Sequence, residues 1–74
     1  MPNQADQDFC IRLNGEPYLV EGDARLLALI EKLNLCPSRI AIELNHSVVP
    51  KAEWAGIALK PGDQIEIVNF VGGG

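Results

Sequence analysis

The chain has 74 residues, of which 47% are hydrophobic and 22% are charged, and its formal net charge at pH 7 is −4. This length allows one domain with a modest core, and the acidic balance with scattered basic residues argues against a nucleic-acid partner. No apolar run approaches the roughly 20 residues needed to span a bilayer, and the polar start does not resemble a secretory signal. We therefore expect a cytoplasmic protein without a membrane partner.

The first part of the chain predicts a leader followed by a β-hairpin. Residues 1–8 are polar and acidic, and we expect them to form a flexible leader. Apolar residues alternate with others over residues 9–13, as in a half-buried strand. Asn14-Gly15 is a strong hairpin signal because both residues tolerate a positive φ, and residues 17–20 are the expected return strand.

One helix is predicted after the hairpin. Four apolar side chains recur at the spacing of one helix face: Leu26, Leu29, Ile30 and Leu33. Asp23 is expected to cap the start of this helix, because its carboxylate can accept a hydrogen bond from a first-turn N–H. Asn34 can adopt the left-handed conformation that ends a helix, and Pro37 prevents its continuation.

The rest of the sequence predicts short strands joined by turns, and together the elements define a fold class. In chain order they are a strand at 40–44, a turn at Asn45-His46, a short strand at Val48-Val49, a helical turn at 51–54, a turn at 61–63 and a strand at 64–70. This order indicates an α+β fold in which one main helix packs on one face of a small mixed sheet. A β-grasp, or ubiquitin-like, domain over residues 9–71 fits the order, and so do other small α+β folds.

The most informative feature is the glycine tail, residues 72–74, which follows the last predicted strand. Three consecutive glycines occur by chance at roughly one site in three thousand. Because glycine has no Cβ, such a tail can enter a narrow channel, and three extended residues reach about 10 Å. The tail can therefore present the Gly74 carboxylate inside another protein's active site. Disordered glycines are the alternative, and a phosphate-binding loop is excluded because no helix follows.

The last predicted strand changes its pattern just before the tail. Ile65 and Ile67 share one face, whereas Val68 and Phe70 fall on the opposite, polar face. An exposed apolar pair in this place is typical of a partner-docking surface, to which we add Val71. A β-bulge or a twist that returns both side chains to the core is the alternative.

The other reactive side chains carry no predicted chemistry. Cys10 lies in an apolar run and is expected to pack, Cys36 is expected to be exposed in a loop, and nothing marks either as part of a secreted disulfide. His46 has no second metal ligand near it in sequence, and Glu43 and Glu66 are expected to face solvent. We therefore expect no catalytic residue, no metal and no cofactor bound by this chain.

The segment from Ile65 to Gly74 resembles the C-terminus of the ThiS proteins, the ubiquitin-like sulfur carriers of thiamin biosynthesis. Residues 13–16 resemble the first hairpin of these proteins. The middle of the chain is similar at residues 40–45, at Val48-Val49-Pro50, at Trp54 and at the turn 61–63. The likeness covers all but the leader, which many members lack, and its specific part is the final strand with the glycines.

The resemblance implies that the chain is a protein cosubstrate and not an enzyme. An E1-like adenylating enzyme would use ATP and magnesium to activate the Gly74 carboxylate. A cysteine desulfurase or a sulfurtransferase would then supply sulfur, and the Gly74 thiocarboxylate would donate it to thiazole synthase. Gly72, Gly73 and Gly74 would enter the active sites of these partners.

Three alternatives remain open at this point. The related small subunit of molybdopterin synthase uses the same terminal chemistry, but its tail typically carries a proline-rich stretch that residues 68–71 lack. A ubiquitin-like protein modifier would be joined through Gly74 to lysines of its targets. A plain binding module would keep its activity without Gly73 and Gly74.

Overall fold

The computed structural model describes residues 8–70, which form one sheet and one α-helix. The elements are β1 (Phe9–Leu13), β2 (Glu16–Val20), α1 (Leu26–Lys32), a first 3₁₀ helix (Pro37–Arg39), β3 (Ile40–Leu44), β4 (Ser47–Val48), a second 3₁₀ helix (Lys51–Gly56) and β5 (Gln64–Asn69). The spatial order of the strands is β2-β1-β5-β3-β4. The last strand in sequence is therefore the middle strand in space.

Two hairpins flank β5 in this sheet. β1 pairs with β5 in parallel, whereas β1–β2, β3–β4 and β3–β5 are antiparallel pairs. This topology with one helix is the β-grasp arrangement, so the predicted α+β class and its mixed sheet are confirmed. The turn at Asn14-Gly15 and the strands are also confirmed, with end positions that differ from the prediction by at most one residue.

The core lies between α1 and one face of the sheet. Every buried residue in the described part is hydrophobic, and these residues come from all the main elements: Ile11, Val20, Leu26, Leu29, Ile30, Ile40, Ile42, Val49, Trp54, Leu59 and Ile65. The predicted helix face is therefore the buried one. The Nε1–H of Trp54 donates a hydrogen bond of 2.9 Å to the carbonyl of Val49, which satisfies the one polar group of this buried ring.

The prediction that Asp23 caps α1 is wrong. The helix begins at Leu26 after the extended residue Arg25, and no side chain caps it. Backbone hydrogen bonds hold residues 24–26 against residues 57–59, so the chain cannot turn into a helix earlier. Asp23 instead accepts hydrogen bonds from the guanidinium and backbone N–H of Arg25, and this pairing lowers the pKa of Asp23 to about 2.

The helix ends as the sequence predicts. Asn34 has a φ of 61°, in the left-handed region. Its N–H donates to the carbonyl of Glu31 at 3.0 Å, and the N–H of Leu35 donates to the carbonyl of Ile30 at 3.3 Å. These two bonds form a Schellman motif, which satisfies carbonyl groups that the end of the helix leaves open.

Two asparagine turns hold β5, one at its first residue and one in its second half. The turns at Asn14-Gly15 and Asn45-His46 begin with the same φ of 52°. The Oδ1 of Asn14 accepts the N–H of Ile67 at 2.7 Å, and the Oδ1 of Asn45 accepts the N–H of Gln64 at 2.9 Å. Each turn therefore joins the two strands of a hairpin and also accepts one backbone N–H of the central strand.

Cys10 is exposed, so the prediction that it packs is wrong. Phe9 and Ile11 point into the helix side of the sheet, and strand alternation turns the residue between them outward. The exposure predicted for Cys36 is confirmed. Residues 1–7 of the predicted leader lie outside the described residues, and no helix within residues 8–70 is long and apolar enough to cross a membrane.

Replacing Asn14 with glycine tests the attachment of β5. Glycine keeps the positive φ but removes the acceptor of the Ile67 N–H. We expect a loss of about 1 kcal/mol in the free energy of unfolding and roughly fivefold faster hydrogen exchange at Ile67. Asn45→Gly is the matched control, since it should accelerate exchange at Gln64 instead. Unchanged exchange at Ile67 in the Asn14→Gly protein would contradict the attachment.

Candidate functional site

The candidate site is the C-terminal end of β5, because it carries the predicted tail. Val71 and the glycines 72–74, including the predicted attachment residue Gly74, lie outside the described residues. The structure does describe Val68 and Phe70, the two other residues predicted to dock a partner. It therefore shows the end of β5 up to Phe70, which we call the platform, and the sequence continues from there towards the tail.

The platform is held on both sides of the strand. The N–H of Phe70 donates to the carbonyl of Arg39 at 2.7 Å, on the β3 side. The N–H of Ile67 donates to Asn14 at 2.7 Å, on the β1 side. These hydrogen bonds fix the strand up to Phe70, which is the last residue that the structure describes.

Val68 and Phe70 are exposed, with 55% and 51% of their surface accessible. The pairing of β5 with β3 is continuous from Leu44↔Ile65 to Ile40↔Asn69, with no extra residue on either strand. This continuity excludes the β-bulge alternative, because a bulge would place two residues opposite one. The apolar pair therefore stays on the outer face of the sheet, away from α1.

The outer face around Val68 combines apolar and acidic side chains. Ala41 lies opposite Val68, and Val48 on the edge strand β4 is 69% exposed. We call Ala41, Val68 and Phe70 the outer patch, whereas Val48 lies in the neighbouring row of the sheet, opposite Glu43. Glu43 and Glu66 lie directly opposite each other beside it. Like charges in this position repel, and a basic group on a partner would relieve the repulsion.

The inner side of the same strand end forms a groove of about 400 Å³. It is lined by Leu13, Asn14, Leu33, Leu35, Ile67 and Asn69. Sequence reasoning missed this groove because its walls come from three separate segments that no local pattern connects. The end of β5 therefore has apolar surface on both of its faces.

Cys36 lies just before the first 3₁₀ helix, which leads into β3. Its Sγ is 3.4 Å from the Oγ of Ser38. The side-chain hydrogen bond with Ser38 is the main factor that lowers the pKa of the Cys36 thiol, followed by the Ser38 backbone hydrogen bond and the charges of Arg39 and Lys51. The thiol is therefore both exposed and more easily ionised than an ordinary cysteine.

Within residues 8–70 no three or more His, Cys, Asp or Glu side chains are grouped closely enough to hold a metal ion. His46 is exposed in the β3–β4 turn, and Glu66 is exposed as predicted, whereas Glu43 is half-buried. In the same stretch no polar or charged residue is buried. The described part thus has exposed apolar surface and no desolvated cluster of titratable groups.

The sequence matches the model of the ThiS family over residues 11–74. A stretch of 64 residues is 41% identical to the thiazole synthase of Magnetococcus marinus, covering 86% of this chain and 20% of that protein. A stretch of 62 residues is 37% identical to the thiazole synthase of Paramagnetospirillum magneticum, covering 84% of this chain and 19% of that protein. The chain therefore spans about a fifth of the length of these two relatives.

The fold is also similar to a solved structure. The crystal structure of the thiamine biosynthesis protein ThiS from Geobacter metallireducens superposes with a TM-score of 0.75 at 28% identity, over 89% of this chain and 100% of that one. The topology and the strand that leads into the glycines define a ubiquitin-like β-grasp protein. The chain belongs to the ThiS family, and this membership supports a sulfur-carrier role.

The reactivity of Cys36 gives a test of its local environment. In a Cys10→Ser protein, the rate of alkylation by iodoacetamide should rise with pH around a midpoint below that of an ordinary thiol, because Ser38 favours the thiolate. Adding Ser38→Ala should move this midpoint upward. Equal midpoints for the two proteins would show that Ser38 has no such effect.

Proposed function

We propose that this chain carries sulfur as a thiocarboxylate on Gly74. The observation that supports the proposal most strongly is that the central strand, hydrogen bonded up to Phe70, continues in sequence into three glycines. The family match extends over those same glycines to residue 74. A fixed platform followed by residues without Cβ can place a carboxylate deep in a partner's active site.

The proposed chemistry begins with activation by an E1-like enzyme that holds ATP and magnesium. A carboxylate oxygen of Gly74 attacks the α-phosphorus of ATP, pyrophosphate leaves, and an acyl-adenylate forms. A persulfide from a cysteine desulfurase or a sulfurtransferase displaces AMP and gives an acyl disulfide. A second thiol then cleaves the S–S bond, so the Gly74 thiocarboxylate forms while the donor becomes a disulfide.

We propose thiazole synthase as the acceptor of this sulfur. The matched region makes up about a fifth of two proteins that are named thiazole synthase, so a domain like this one is part of the same polypeptide there. Linking a carrier to the enzyme that it serves raises its effective concentration at the active site. A carrier can also reach its acceptor enzyme through a docking surface, and we propose the outer patch for this role.

We assign catalysis to the partner enzymes. Catalytic acids and bases usually have pKa values shifted by burial or by close charges in a cleft. Among the described residues, the carboxylate whose pKa is strongly shifted is that of Asp23. This residue is exposed, pairs with Arg25 and lies between β2 and α1. Its pairing with Arg25 accounts for the shift without a catalytic role.

The first experiment measures the intact mass of the chain after incubation with an E1-like enzyme, ATP, magnesium and a persulfide donor. We expect the mass increase for replacement of one oxygen by sulfur, located at Gly74 by fragmentation. A chain that lacks Gly73 and Gly74 is the matched control and should remain unmodified, since its carboxylate is about 7 Å short. The proposal is contradicted if the full chain stays unmodified while the same enzyme modifies another carrier. Conjugates of the chain with lysines of other proteins would instead indicate a protein modifier.

The outer patch gives a second test. Replacing both Val68 and Phe70 with serine should weaken binding to the E1-like enzyme by about 2 kcal/mol, or ~30-fold in Kd, because both half-exposed side chains lose apolar burial. Leu19→Ser is the control, since Leu19 is 49% exposed on the same face but on the edge strand β2. Calorimetry measures the affinity and circular dichroism the fold. Equal affinities for the wild type and a folded double variant would rule out docking through these residues.

A further inference from the structure

We propose a second docking site at the β2 edge of the sheet, where β2 and the groove beside α1 bind an extended, basic segment of a partner protein. The segment would add as a strand to β2 and place an apolar side chain in the groove. This site is separate from the end of β5 and extends the proposed function to a further partner.

The free edge of β2 supplies the backbone groups for this addition. Among the described strands β2 is outermost, with only β1 as a neighbour. The pair Leu13↔Glu16 closes the two-residue turn. Every second residue of β2, starting with Glu16, therefore directs its backbone N–H and C=O groups towards β1. The backbone groups of Pro17 and Leu19 consequently face outward, and Glu21 follows directly after the end of β2. Pro17 has no N–H, which leaves the amide of Leu19 as the donor on the strand and that of Glu21 as the next one that a continued alternation would offer.

The groove beside this edge has a volume of about 350 Å³. Val20 and Leu29 form its buried floor, and Tyr18 and Ala28 line it as half-buried side chains. Alternate residues of a strand added to β2 would point into the space between β2 and α1. The volume is at the lower end of the range for ligand pockets, which suits one or two apolar side chains.

The rim of the groove determines the charge of the partner. Glu21, Asp23 and Glu31 lie on the rim together with Lys32, and Arg25 borders the rim through its contact with Asp23. Asp23 is already paired with Arg25 at 2.7 Å, which is the one salt bridge among the described residues. Glu21 and Glu31 form no salt bridge among the described residues, although the charge of Glu31 also acts on Arg25. These two carboxylates leave the rim with a net negative charge that attracts lysine or arginine on a partner.

The same charges disfavour two other occupants. A second copy of the chain, paired edge to edge, would bring two acidic rims together. The leader of this chain is also acidic, with Asp6 and Asp8 and no lysine or arginine in residues 1–8. Like charges across an interface cost affinity, so a basic segment from a different protein fits best.

A peptide set tests the proposal directly. The probes are nine-residue peptides with an alternating Val and Thr core, flanked on both sides by Lys in one series and by Glu in the other. We expect Lys-flanked peptides to bind with Kd values of about 10–500 μM and at least ~tenfold more tightly than the Glu-flanked series. On binding, hydrogen exchange should slow at the outward amides of Leu19 and Glu21, while Tyr18 and Val20, already paired with β1, stay unchanged.

Charge reversal on the protein provides the matched comparison. Glu31→Lys should weaken binding of the Lys-flanked peptides at least ~tenfold, whereas Glu53→Lys, an exposed change on the second 3₁₀ helix, should leave it within ~twofold. The proposal is overturned if no Lys-flanked peptide binds below about 1 mM. It is equally overturned if the protected amides map to β4 or β5, if Glu31→Lys has no effect, or if Leu19 becomes protected through concentration-dependent dimerisation.

Discussion

The structure depends on the position of β5 between β1 and β3. This strand supplies the deeply buried Ile65 to the core, and it joins two hairpins that have no direct pairing with each other. Asn45 and Asn14 hold its residues Gln64 and Ile67 through side-chain oxygens. The glycine tail is the continuation in sequence of this most constrained strand, so the same hydrogen bonds that complete the sheet also position the site.

The two sides of the molecule offer different chemistry to partners. At the end of β5 the outer patch is apolar and lies next to the opposed carboxylates Glu43 and Glu66. At the β2 edge an apolar groove is bordered by acids and open backbone groups. In the sheet β1 lies between β2 and β5, and the two surfaces lie on opposite faces, so they share no residue.

Most of the fold could be predicted from local sequence signals, because turns and amphipathic periods depend on nearby residues. The helix face, the Asn14-Gly15 turn and the end of α1 at Asn34 are examples. The start of α1 could not be predicted, because residues 24–26 are held extended by a segment far along the chain. The exposure of Val68 and Phe70 depends on the register between β5 and β3, which the sequence of β5 alone does not determine. The inner groove depends on side chains from three segments that are distant in sequence.

The parallel pairing of β1 with β5 also has a consequence for the order of folding. Asn14 and Ile67 are 53 residues apart in sequence, and this contact closes the sheet. Each hairpin can form early from local contacts, but long-range closure is slow and requires β5 to be present. A nascent or truncated chain without this strand is left with two hairpins that do not pair with each other. The sheet therefore cannot close until the chain has been made almost to the glycine tail, because the strand that completes the core lies only a few residues before it in sequence.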